Sequence, residues 1–192
     1  RVESAAPVLS RSLRAMRALV LAAVGVLLAR TTSAIVPLMN ATTVATSTSG
    51  VRSVHATDVD GDGHMDAIHG PFWFAGLEFK TKKLIYQAAP QNREGYANNF
   101  FSWPYDFNKD GLVDVLTAGF PGTPAFVYQN PGKEGHEAPW PKHQVFDWVS
   151  NESPHFTNLV GDAVPELVCT RDGYFGYVEI NPANGLEPWN FY

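Results

Sequence analysis

The chain has 192 residues, with 14 basic and 19 acidic side chains, a formal net charge of −5 and one cysteine. A single thiol cannot close an intrachain disulfide, so the fold is not a cystine scaffold. The acidic balance, with no basic patch beyond the arginines of the first 34 residues, argues against a nucleic-acid partner.

The first stretch reads as an export signal. Basic residues from Arg11 precede an apolar run, Ala18 to Ala29, and Thr32 and Ala34 are placed for cleavage after Ala34. A run of about 12 residues is too short to span a membrane, which takes about 20. Residues 1–34 are therefore expected to be a signal peptide, with Met16 available as the true start. The mature protein is expected to be secreted, extracellular or periplasmic, with no transmembrane anchor after signal removal. Removing the segment takes away five Arg and one Glu, and the formal net charge falls from −5 to −9. Residues 35–50, "IVPLMNATTVATSTSG", are rich in Thr, Ser and Ala and hold no aromatic. They read as a linker or an irregular first strand. "NAT" at Asn40 and "NES" at Asn151 match the short glycosylation acceptor pattern.

The next segment, "DVDGDGHMD", carries acids at positions 1, 3, 5 and 9: Asp58, Asp60, Asp62 and Asp66. Alternation at 1, 3 and 5 brings oxygens onto one point when the loop curls, and the glycines at 4 and 6 permit the curl. Convergent carboxylates repel, so the curled state calls for a cation. A hard ion with six to eight oxygen ligands, calcium, suits the set. Position 7, His64, would add only its backbone carbonyl. The pattern recurs 48 residues later as "DFNKDGLVD", with Asp106, Asn108, Asp110 and Asp114 at the ligand positions and Leu112 at position 7. A third copy, "NLVGDAVPE", keeps Asn158, Asp162 and Glu166 but has Val160 at position 3 and Ala163 at position 6. Having lost a ligand and the glycine, it is a weak metal site.

An EF-hand would need a Glu at position 12 and flanking helices. Position 12 is His69, Thr117 and Cys169 in the three copies. The flanks "VRSVHAT", "MDAIHG", "LVDVLTAG" and "PELVCT" are short and β-branched or apolar, so each loop is expected to join two strands. Cys169 then sits in a strand and reads as a buried, inert thiol, with intermolecular pairing as the alternative. An aromatic strand follows in each unit: "FWFAGLEF", "PAFVYQNPG" and "YFGYVEINP". The later two units share an Asn-Pro turn, at Asn130 and Asn181, and a Pro-Trp pair, Pro139-Trp140 and Pro188-Trp189. Repeats of about 40 to 50 residues with around four strands indicate propeller blades. No amphipathic helix is expected after the signal. All 24 aromatic residues lie from Phe72 onward, and core packing is their expected role.

The stretches "DVDGDGHMDAI", "DFNKDGLVDVL" and, more loosely, "NLVGDAVPELV" resemble the FG-GAP/VCBS repeat family, over roughly residues 50–192. The resemblance implies an all-β chain of about three four-stranded β-propeller blades over 51–192, with calcium in the hairpin loops as in integrin α-chain heads. It implies a larger, for example seven-bladed, propeller whose remaining blades are missing here, the last unit stopping short at "PWNFY". Ligand roles fall by this match on Asp58, Asp60, Asp62 and Asp66, and on Asp106, Asn108, Asp110 and Asp114.

The protein offers nearly a full ligand set, so the metal reads as structural, and outside the cell weak calcium sites can fill. The leading expectation is a non-catalytic binding or adhesion module for a carbohydrate or protein ligand. The alternative is a propeller-based enzyme, a polysaccharide lyase or sugar dehydratase. A structural surface-layer component is a third class. No nucleophile motif, zinc-ligand helix or phosphate loop is present. No catalytic residue is assigned; His143, His155, Arg171, Tyr174 and Tyr177 are the polar groups whose convergence would favour the enzyme.

Overall fold

The computed structural model describes residues 53–87 and 99–192. The expected signal peptide, the 35–50 segment and Asn40 lie outside the described residues. Within them the chain forms twelve strands and a single turn of 3-10 helix, Lys133–Gly135. β1 (Val54–Thr57), β2 (Asp66–His69), β3 (Phe72–Phe74) and β4 (Lys82–Leu84) make the first sheet. β5 (Phe101–Tyr105), β6 (Asp114–Ala118), β7 (Thr123–Tyr128) and β8 (Lys142–Val149) make the second. β9 (His155–Thr157), β10 (Glu166–Arg171), β11 (Tyr174–Glu179) and β12 (Asn190–Phe191) make the third. Every pairing is antiparallel and the order in each sheet is the order along the chain. The chain is thus all-β in the described region, and each acidic loop joins the first two strands of a sheet. Among the described residues no helix is long and apolar enough to cross a membrane.

Alternation along the strands decides what each sheet buries. In the second sheet Val115 and Tyr128 pack with Ile68, Trp73 and Ile85 of the first. Their neighbours Leu116 and Val127 point the other way, against Leu167, Cys169 and Val178 of the third. The second sheet is covered on both faces, so all five residues of β6 are buried. That is why "DVLTA" reads as a nearly continuous apolar run rather than an alternating one. Trp73 is wholly buried, and a side chain of this kind contributes roughly 1.5–3 kcal/mol on leaving water.

The repeated Pro-Trp pairs mark the seams between sheets. Trp140 N–H donates to Ile85 O at 2.7 Å, and Trp189 N–H donates to Val145 O at 2.7 Å. Each Trp precedes the last strand of its own sheet and ties it to the last-strand segment of the sheet before. The turn between β10 and β11 is two residues long, Asp172 and Gly173, both with positive φ (51° and 85°). This is the backbone twist that suits a tight hairpin.

Cys169 is unpaired and buried. Burial pushes its thiol up to about 11, so it stays protonated and unreactive at neutral pH. Most aromatics are interior; Phe120, Trp148, Tyr174, Phe175 and Tyr192 are the exposed ones among the described residues.

Candidate metal centre

The first acidic loop connects β1 to β2, whose pairing closes at Thr57 and Asp66. Asp58 organises the curl. Its Oδ1 accepts the N–H of Gly61 (2.8 Å) and of Asp62 (3.2 Å), and its Oδ2 accepts that of Gly63 (2.9 Å). An aspartate bonding to its own downstream backbone is the ordinary device for tightening a turn. Gly61 and Gly63 have φ of 72° and 85°, with open space where a Cβ would stand. They are required for conformation, not for room. The outcome is that Asp58, Asp60 and Asp66 each bring one carboxylate oxygen within 4.8 Å of the others. Asp60 Oδ1 is buried and has no hydrogen-bond partner among the described residues.

The second loop, between β5 and β6, repeats the curl. Asp106 accepts the N–H groups of Asp110 (3.1 Å) and Gly111 (2.9 Å). Lys109 holds φ 62° at the position Gly61 occupies in the first loop. Asn108 Nδ2 donates to Asp110 Oδ2 at 2.8 Å, and Asn108 Oδ1 accepts from Asp110 N at 3.1 Å. The amide thus occupies one oxygen of Asp110, and its bond to Oδ2 competes with a cation for that oxygen. In the third loop Asn158 Oδ1 accepts from Gly161 N (2.7 Å) while Asn158 Nδ2 donates to Asp162 O (2.9 Å). Asp162 Oδ1 accepts from Val164 N (2.7 Å). That turn satisfies itself. Among the described residues the first loop alone brings three acidic groups together. His64 N–H and Leu112 N–H donate to Asp62 and Asp110 at 2.8 Å each, which sets the backbone at position 7.

The acid at position 9 has a role that spacing did not reveal. Asp66, Asp114 and Glu166 are all buried. Each accepts the N–H of position 2 in its own loop: Val59 at 2.7 Å, Phe107 at 3.1 Å and Leu159 at 2.6 Å. In the first two sheets the other oxygen accepts an N–H from beyond the third strand, Gly76 at 2.6 Å or Asn130 at 2.7 Å. One carboxylate therefore staples the loop to its sheet.

Asn130 is a further residue that sequence reasoning noted only as a turn. Its Nδ2 donates to Val59 O (2.9 Å) in the first loop and to Val113 O (3.1 Å) in the second. Its Oδ1 accepts from Gly132 N (3.0 Å) and pairs with His136 Nε2 (2.9 Å). The burial of His136 lowers its pKa, which leaves the ring neutral. The signal for this hub was the repeated Asn-Pro turn, although Asn181 uses its amide locally, donating to Pro188 O at 3.3 Å.

Burial raises the Asp114 carboxyl to about 6; the N–H groups of Asn130 and Phe107 oppose the shift, and Asp110 and Asp106 add to it. Asp66 is raised by the same cause. A carboxyl whose folded pKa exceeds its unfolded value of 3.8 favours the folded state most when protonated. Its contribution is full below about 4 and lost as pH rises through 6. Half-buried His55 and buried His69 and His136, whose pKa values desolvation lowers, act in the opposite sense on acidification. The clean quantity is therefore a difference. In chelator, between pH 7 and pH 5, wild type should gain roughly 1 kcal/mol on Asp114→Asn, read by urea denaturation at both pH values. An unchanged difference would mean that Asp114 is already ionised without strain.

The five polar groups singled out earlier do not converge. His155 and Tyr177 flank Val168 in one row of the third sheet, and Arg171 pairs with Tyr174 three residues further along. An odd offset puts the two rows on opposite faces. Arg171 is committed to Asp147 at 2.7 Å, and His143 lies on β8, paired with Gln129 at 3.2 Å.

Compared with known proteins, the chain matches no protein-family model, no curated protein and no solved structure.

Proposed function

We propose that the chain is a secreted, calcium-binding protein of the FG-GAP/VCBS repeat type, its sheets serving as blades of a β-propeller. It acts as a non-catalytic binding or adhesion module for a carbohydrate or protein ligand, and calcium holds its loops. The observation that carries the calcium reading is the meeting of Asp58, Asp60 and Asp66 within 4.8 Å, with Asp60 Oδ1 buried and unbonded. An all-oxygen set of carboxylates fits calcium, which tolerates varied geometry, better than magnesium, which demands a near-ideal octahedron. The second loop has the same ligand types, with the Asn108–Asp110 bond competing for one oxygen. The separation of His143, His155, Arg171, Tyr174 and Tyr177 supports a binding role over an enzymatic one.

Calorimetric titration with calcium tests the reading, alongside a double variant, Asp60→Ala with Asn108→Ala. Two sites are expected, with Kd about 10⁻⁴ to 10⁻³ M. Calcium at about 100 times Kd should stabilise the fold by about 2.7 kcal/mol per site, and both effects should vanish in the variant. Absence of binding heat together with an unmoved melting temperature would reject calcium.

A further inference from the structure

The first and second acidic loops are joined through buried hydrogen bonds. Asp66, at position 9 of the first loop, accepts the N–H of Val59 at 2.7 Å. The carbonyl of the same Val59 accepts from Asn130 Nδ2 at 2.9 Å. The main-chain N–H of Asn130 donates to Asp114 Oδ1 at 2.7 Å, and Asp114 is position 9 of the second loop. A run of three hydrogen bonds thus leads from one position 9 carboxylate to the other. Asp66, Val59, Asn130 and Asp114 are each 1 % exposed or less, so water does not compete for these bonds. The run is fastened at both ends. Asp66 Oδ1 accepts from Gly76 N at 2.6 Å, and Asn130 Nδ2 donates a second time, to Val113 O of the second loop at 3.1 Å. The third loop lies outside it. Asn181 stands where Asn130 does in the repeat, yet its amide turns to Pro188 O and its Oδ1 to Ala183 N. Among the described residues Glu166 accepts from Leu159 N and Val160 N, both within its own loop.

We propose that Asn130 couples the first and second loops, so that calcium held in either one raises the affinity of the other. The proposal rests on the calcium reading and adds regulation to it. Its basis is shared ordering. Asp66 is one of the three acids that meet in the first loop. Once it is fixed there, its bond fixes the Val59 peptide. The Val59 carbonyl then fixes the Asn130 side chain, and the Asn130 N–H holds Asp114 in place for the second loop. The same run works in reverse. Ordering that one ion has already imposed need not be repeated for the next, which gives positive cooperativity without a change of fold. Linkage requires the same factor in both directions.

The test is calorimetric calcium titration of the full chain and of two variants, Asp58→Ala and Asp106→Ala, each of which leaves one loop competent. The bonds of both side chains lie in exposed loops, so both variants should fold. Together they give each site alone and so define the isotherm of independent sites. Wild type should bind its second ion about fivefold more tightly than that isotherm allows. The same titrations in an Asn130→Ala background cancel the effect of the lost loop charge, and there the factor should fall to about one. A further measurement leaves Asn130 intact. In Asp106→Ala, whose second loop is disabled, calcium should still slow amide exchange at Asn130 and Phe107, the two donors to Asp114, by at least about threefold. An isotherm that matches independent sites, a factor that survives Asn130→Ala, or exchange at Asn130 and Phe107 that calcium leaves unmoved would each overturn the coupling while the calcium reading stands. No binding heat in any of the chains would remove both.

Discussion

Asp114→Ala should destabilise the protein by roughly 3 kcal/mol even in chelator, and by more with calcium present. The carboxylate is buried and accepts two N–H groups, from Phe107 at 3.1 Å and Asn130 at 2.7 Å. Truncation leaves both donors without acceptors, at about 1–3 kcal/mol each. Relief of the buried charge, evident in the raised carboxyl, returns part of this. Asp106→Ala makes the contrast. Its bonds are in an exposed loop, so in chelator its cost should stay below about 1 kcal/mol, while calcium at the second loop should be lost. Urea denaturation with and without calcium separates the two positions. Should Asp114→Ala cost nothing in chelator, the staple role would be wrong and position 9 would act through metal alone.

Asn130→Asp is expected to be at least as damaging, despite changing one atom type. The amide nitrogen donates to Val59 O and Val113 O from a site 1 % exposed. A carboxylate oxygen there would face two carbonyl oxygens, and an uncompensated buried charge costs about 3–5 kcal/mol. Asn130→Ala removes the bonds without adding charge and should cost roughly half as much. The order Asp worse than Ala is the readout, in denaturant midpoint at pH 7. Equal costs would show that the site opens to water and that the amide does not bridge the two loops.

The strands and loops were largely legible because their chemistry is local. Alternating acids with glycine at position 6 dictate a curl, and β-branched runs on either side dictate strands. Position 2 was legible too, in retrospect: Val59 and Phe107 are apolar residues inside acidic loops, and both are buried. What could not be read was the partner of each group. Asp66 and Asp114 look like ligands from spacing, yet the donors that hold them, Gly76 and Asn130, come from a different turn of the sheet.

The coverage of the second sheet on both faces has a consequence for how the molecule breathes. Its amides lie under two neighbours, whereas the third sheet shares only one apolar cluster, with the second, and carries Phe175 at 92 % and Leu159 at 53 % exposure. Each sheet draws its protection from the one beside it, as in a one-dimensional array. Opening should therefore begin in the two outer sheets, β1–β4 and β9–β12, and reach β6 and β7 last, so that amide exchange is slowest in the middle sheet and does not follow a single cooperative rate.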